Sequence, residues 1–171
     1  MNLIKLINPE NVSEEEVKKY RTREAVRAIV VDKNGLIALL FVSKEKYYKL
    51  AGGGIEDTED KMTALNRECV EEIGCDIEVL NEIGYIVEYR KIFTLKQTSY
   101  CYLAKIKGDK RKSSFTEDET EKGFEQVWLS YNDALKVLKE SQATSFEGSR
   151  YIVPRDTAFL EEAGKYLTDI I

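Results

Sequence analysis

An α/β domain, its helices laid against one mixed sheet, is what this sequence predicts, on three observations. Short runs rich in β-branched residues alternate with stretches of helical periodicity. No internal repeat, low-complexity tract or linker divides the chain. Its 171 residues, 43% hydrophobic and 33% charged, suffice for one sizeable core. A single domain over residues 1–171 follows, with a core from about 23 to 140, an N-terminal arm and a C-terminal helix.

Taken in order, Ser13-Glu14-Glu15-Glu16 reads as a short helix start, a serine cap followed by acids in the first turn, and the run ends by about Tyr20. Ala25 to Val31 is a strand, and Asp32-Lys33-Asn34-Gly35 is a hairpin turn because its Asn-Gly step tolerates positive φ. Leu36 to Val42 returns as a strand buried on both faces. Tyr47 to Leu50 then runs extended into Gly52, Gly53 and Gly54. Beyond Gly74, strand segments are expected at Asp76–Val79 and Gly84–Tyr89, a turn at Arg90–Phe93, and a strand to about Ile106. In that last strand Gln97, Ser99, Cys101 and Leu103 share one face. Lys107–Lys112 is an exposed connection, Glu117–Glu121 an acidic loop, and Phe124–Leu129 a strand. Ser130 and Asp133 open a helix with Ala134, Leu135 and Leu138 on its apolar face. A polar segment, Ser141–Ser149, precedes a last helix around Asp156–Leu167.

The chain is organised around the stretch from Gly53 to Cys75. Met62, Leu65, Cys69 and Ile73 recur at helical spacing and predict an apolar stripe, closed by Gly74 as C-cap. Glu68, Glu71 and Glu72, related by three and four residues, predict a separate acidic face. Like charges this close repel. A solvated acidic face is the plain reading; a hard divalent cation, which takes oxygen ligands, is the functional one. The glycines ahead of the helix favour the second, since they let backbone approach a ligand closely.

The spacing is Gly53, five residues, Glu59, seven residues, then Arg67-Glu68-Cys69-Val70-Glu71-Glu72-Ile73-Gly74-Cys75. It resembles the signature of the Nudix hydrolase family, MutT-like, in every fixed polar and glycine position. Two apolar positions of that signature hold Cys69 and Cys75, and Ala51 stands where proline is common. The resemblance implies an α/β/α sandwich with a mixed sheet, the motif forming loop, helix and loop. It also implies a Mg²⁺- or Mn²⁺-dependent hydrolase that cleaves a pyrophosphate bond in a nucleoside diphosphate linked to another moiety. Carried over, Glu68, Glu71 and Glu72 are metal ligands, one of them also placing or deprotonating the attacking water. Arg67 and Glu59 position the carboxylates, and Gly52 to Gly54 form the loop that meets the cofactor and substrate. A further metal-binding acid from outside the motif is expected at Glu121, with Glu125 next and Glu117 and Glu119 as the other candidates. Tyr47, Tyr48, Tyr89, Phe124 and Trp128 flank the expected cleft as stacking candidates. The markers of ADP-ribose and NADH pyrophosphatases are absent around Tyr89–Phe93, leaving triphosphates, dinucleoside polyphosphates and nucleotide sugars open as substrates. The alternative is a non-catalytic Nudix-like nucleotide-binding or regulatory module, for which loss of motif glutamates is the marker; none is lost.

Other chemistries are excluded by composition. There is no histidine, so Ser-His and Cys-His catalysis and histidine-ligated zinc are out. Net charge is −5 with no basic block, which argues against nucleic acid as partner. No stretch has the length and apolarity for a membrane span or a signal peptide. Three cysteines without C-x-x-C spacing give neither a disulfide framework nor a zinc site. A cytoplasmic protein is expected, with the arm and C-terminal helix as the natural elements for a homodimer.

Overall fold

The structure is a computed structural model that describes residues 1–167; the last four residues of the expected domain lie outside the described residues. Strand β1 (Leu3–Ile7) opens the chain and runs parallel to β5 (Asp76–Arg90) at the sheet edge. From sequence this segment is expected only as an arm, so its place in the sheet is a finding of the structure. Helix α1 (Glu14–Val17) follows, Ser13 capping it by accepting from the Glu16 amide. The paired strands β2 (Arg21–Val31) and β3 (Ile37–Val42) share only the Val31–Ile37 register position before they diverge. β2 lies parallel to β6 (Leu95–Lys107), and β3 takes β4 (Tyr47–Lys49) and β7 (Phe124–Leu129) as antiparallel neighbours.

The divergence of β2 and β3 makes the site possible. The edge of β2 that β3 leaves is covered instead by the glycine segment, with Ala28 and Val26 amides donating to the Ala51 and Gly53 carbonyls and the Ile55 amide to Glu24. Loop backbone is thereby held as firmly as a strand.

Two cores sandwich the sheet. On one face Val26, Ala28, Val30, Ala38 and Leu40 meet Ala64, Leu65, Cys69 and Ile73 of α2 (Lys61–Ile73). On the other, Ile29, Leu39, Leu50, Ile86 and Leu103 meet α4 (Tyr131–Lys139) and α5 (Val153–Leu167). The expected α/β/α architecture is therefore present. α5 buries Phe159, Leu160 and Ala163 in the core and β1 joins the sheet, so the arm and the last helix are both parts of the fold.

Three local expectations are corrected. The two strand segments after Gly74 are one long strand, β5, kinked by irregularities between Val79 and Asn81 and between Glu82 and Gly84. The acidic stretch Glu117–Glu121 is helix α3, because Thr116 and Glu119 form a reciprocal capping box and the acids suit the first turn. The last helix begins earlier than read: a π-helical turn, Gly148–Ile152, runs into α5 at Val153. No helix among the described residues is long and apolar enough to cross a membrane.

Candidate active site

Helix α2 is capped at its start by Asp60, which accepts from the Thr63 amide, and at its end by Gly74 in the left-handed conformation. Its buried face is the expected one in part: Leu65, Cys69 and Ile73 are fully buried, but Met62 is not and two glutamates join them. Met62 is 42% exposed, while Glu68 and Glu72 are only 8% and 1% exposed. Those glutamates stand at the helical spacing of Leu65 and Cys69 and share the inward side; Glu71 alone is half-exposed. Glu68 and Glu72 thus point beneath the glycine segment rather than out to water.

Burying carboxylates demands compensation, and each has a specific partner. Glu72 accepts from the Gly52 amide at 2.6 Å and from Lys49 Nζ at 2.7 Å. Burial pushes its carboxyl above the usual range, with Lys49 opposing. Arg67 grips Glu59 through two nitrogens, at 2.6 and 3.1 Å, and reaches Glu68 at 2.8 Å, Glu71 at 3.4 Å and the Gly54 carbonyl at 3.1 Å. The Arg67 bond holds Glu59 below the usual carboxylate range. One guanidinium therefore fastens the loop, the helix and two of its acids into one unit.

Two glycines are required by this geometry. Gly52 has φ of 130°, and a Cβ there would stand 2.2 Å from the Val26 carbonyl oxygen. A Cβ on Gly53 would stand 2.2 Å from Glu68 Oε1, so the missing side chain is the space the carboxylate occupies.

A cavity of about 270 Å³ opens beside Gly52 and Gly53, lined by Arg23, Arg27, Lys49, Arg90, Arg155 and Phe124 among others. Of the five aromatic candidates, Tyr47 and Phe124 line it. Tyr48 instead stacks on Phe41, Tyr89 packs with Val12 and Val17, and Trp128 lies under Lys110. Glu121 ends α3, exposed and without a hydrogen bond or ion pair among the described residues.

A Nudix domain model matches residues 21–149. The chain belongs to the Nudix family. Membership makes it a Nudix-type hydrolase, acting on a pyrophosphate bond. Among solved structures, a Nudix hydrolase from Nitrosomonas europaea aligns with a TM-score of 0.64 at 13% identity, over 88% of this chain and 96% of that one. The MutT protein from Methanosarcina mazei Go1 gives 0.60 at 16%, over 86% and 96%. A C. elegans Ap4A hydrolase gives 0.59 at 18%, over 86% and 99%. At these identities the likeness is one of fold. Comparison with curated sequences gives no match.

Nudix hydrolases generally use divalent metal ions, and the donor set here suits a hard one: three carboxylates within two turns, two of them buried as close like charges. In the present arrangement Arg67 and Lys49 balance those charges, and no group of three acids or cysteines among the described residues is gathered as a metal site. Sequence reasoning missed Lys49 and the four arginines of the cavity. Arg27 interrupts the otherwise apolar run from Ala25 to Val31, and that break in the pattern is the available signal.

Proposed function

We propose that this Nudix protein hydrolyses a pyrophosphate bond in a nucleoside diphosphate linked to another moiety, with Mg²⁺ or Mn²⁺ as cofactor. The observation that carries the reading is the pair of buried acids, Glu68 and Glu72, lodged beneath a glycine segment that borders a cation-lined cavity. Glu68, Glu71 and Glu72 are the residues that would hold the ion, and one of them places or deprotonates the attacking water. The bound cation would neutralise phosphate charge and lower the pKa of water.

The rest is the work of the chain's own residues. Arg67, fixed by Glu59, holds the acids and the loop in register. Lys49 keeps Glu72 in place and puts positive charge at the cavity wall. Phe124 supplies an apolar surface for the non-phosphate part of the substrate.

The test is product identification by mass spectrometry after incubation with a panel of nucleoside diphosphate derivatives, with and without Mg²⁺. Glu71→Gln and Glu72→Gln are expected to lower turnover by about 10²-fold or more while the protein stays folded, since positioned acid-base groups contribute roughly 10²–10⁴. Near-normal turnover in both variants rejects the assignment. Nucleotide binding without hydrolysis by the wild type would make the chain the non-catalytic module.

A further inference from the structure

The far wall of the cavity holds more positive charge than its surroundings neutralise. Arg23 and Arg27 come from β2, Arg90 from the end of β5, and Arg155 from α5. Opposite these four guanidinium groups stand two fully buried carboxylates, Glu88 and Asp156, and a third at the rim, Glu147. Glu88 accepts from Arg90 at 3.1 and 3.2 Å and from Gln97 at 2.8 Å; Asp156 accepts from Arg155 at 2.7 Å and from the Leu50 amide at 2.9 Å. Arg90 also pairs with Glu147, and Arg155 Nη1 stands 3.7 Å from Glu88, an ion pair too long for a hydrogen bond. Those partners are used up. Arg23 makes only a 3.3 Å bond to Gln97, and Arg27 has backbone carbonyls of Val26 and Gly53 as its only partners among the described residues.

The unused donors are specific. Among the described residues, Arg27 Nε, Arg90 Nε, and both Nη1 and Nη2 of Arg155 are buried without a hydrogen-bond partner. Arg27, Arg90 and Arg155 are 5%, 2% and 1% exposed, yet all three line the cavity. Leaving such donors unpaired is costly, and guanidinium forks match phosphate oxygens bidentately. The Arg27 group is pushed down to about 10, first by burial and then by neighbouring Arg155, and Asp156, Glu72 and Glu88 only partly offset this.

We propose that Arg27, Arg90 and Arg155, with Arg23 at the entrance, form a phosphoryl-binding subsite, distinct from the α2 acids, that takes a phosphate group of the substrate remote from them. Arg155 lies outside the matched residues 21–149, so this assigns α5 a direct part in the pocket. Its neighbour Asp156 ties the same helix to Leu50, at the start of the glycine segment, so the subsite and the loop are braced by one dipeptide. The inference rests on the pyrophosphohydrolase reading only for the identity of the molecule that carries the phosphate.

The test separates the two. In EDTA, with the full chain, inorganic phosphate is expected to raise the melting temperature by a few degrees at roughly tenfold its Kd, and acetate at equal ionic strength is not. Arg27→Gln should abolish that rise; it leaves no buried carboxylate unpaired, because Arg27 has none as partner. Arg27→Lys, which keeps the charge without the fork, should retain part of it and serves if the glutamine variant does not fold. With a nucleotide substrate, Arg27→Gln should raise KM by roughly 10- to 100-fold, the range of a charge-assisted hydrogen bond, with kcat little changed, and phosphate should compete. No phosphate shift up to about 50 mM, an equal shift with acetate, or an unchanged shift in Arg27→Gln overturns the subsite, whether or not hydrolysis is found.

Discussion

Lys49→Met is the sharpest perturbation of the ion pair under the glycine segment. It leaves the Glu72 carboxylate buried with only the Gly52 amide facing it. Lys49 Nζ and Glu72 Oε1 are 2.7 Å apart, with 10% and 2% of the two side chains exposed. At an effective dielectric constant of about 20 that separation is worth about 6 kcal/mol of attraction. The figure is an upper bound, because Glu72 can take up a proton instead of remaining charged. Breaking a buried pair from one side costs about 3–5 kcal/mol, which for a domain of this size lowers Tm by roughly 6–20 °C.

The pH dependence follows from Glu72. Burial already raises its carboxyl above the ordinary 4.5, and Lys49 opposes that rise. An acid raised on folding contributes stability that is present below its unfolded pKa and lost as pH climbs through the folded one. Without Lys49 the folded value rises further, so the deficit against wild type is largest near pH 7 and shrinks toward about pH 5. Urea unfolding at both pH values measures it. In Lys49→Met/Glu72→Gln the charge is gone while an amide oxygen keeps the Gly52 N–H bonded, and most of the loss should be recovered. A cost below about 1 kcal/mol at pH 7, a deficit that does not shrink on acidification, or no recovery in the double variant would show that the pair does not carry the buried charge.

The other expectations test the loop and its clamp. Gly52→Ala forces a side chain into positive φ against the Val26 carbonyl and should cost more than about 1–3 kcal/mol; Gly54→Ala meets only the movable end of Arg23 and should cost less than about 1 kcal/mol. Equal melting temperatures for the two refute the strained crossing. Glu59 is held below its ordinary 4.5 by Arg67, so its contribution is present above the unfolded pKa and lost as pH falls through the folded one. Wild type should therefore lose stability between about pH 5 and pH 3 more steeply than Glu59→Gln, and parallel urea midpoints across that range would dismiss the clamp.

The sequence was most informative where the determinants are local. The Gly74 cap of α2, the Asn-Gly turn, the Ser13 and Ser130 helix starts and the alternation along β6 were all written within a few residues of where they act, and each appears in the structure. The helix α3 was misread as a loop because its capping box lies among charged residues with no apolar stripe beside it. Met62 and the two buried glutamates were assigned to the wrong sides because helical periodicity gives angles between residues, not which side meets the sheet. Hydrophobicity settled that question for Leu65 and Cys69 but pointed the wrong way for Glu68 and Glu72, whose burial depends on partners at Arg67, Lys49 and Gly52.

By itself, then, the chain's amino-acid order determined the family, the loop-helix-loop that carries the acids, and the sandwich that supports it, because spacing, capping and periodicity act through neighbouring residues. Only the tertiary structure decided that Glu72 is a buried ion-pair partner and that Arg27, Arg90 and Arg155 share one wall, with Asp156 of the last helix fastening the glycine segment. Those groups lie tens of residues apart and carry no local signature. They meet because β2 and β3 part company after one register position, leaving a sheet edge that the glycines cover and a gap that distant arginines surround.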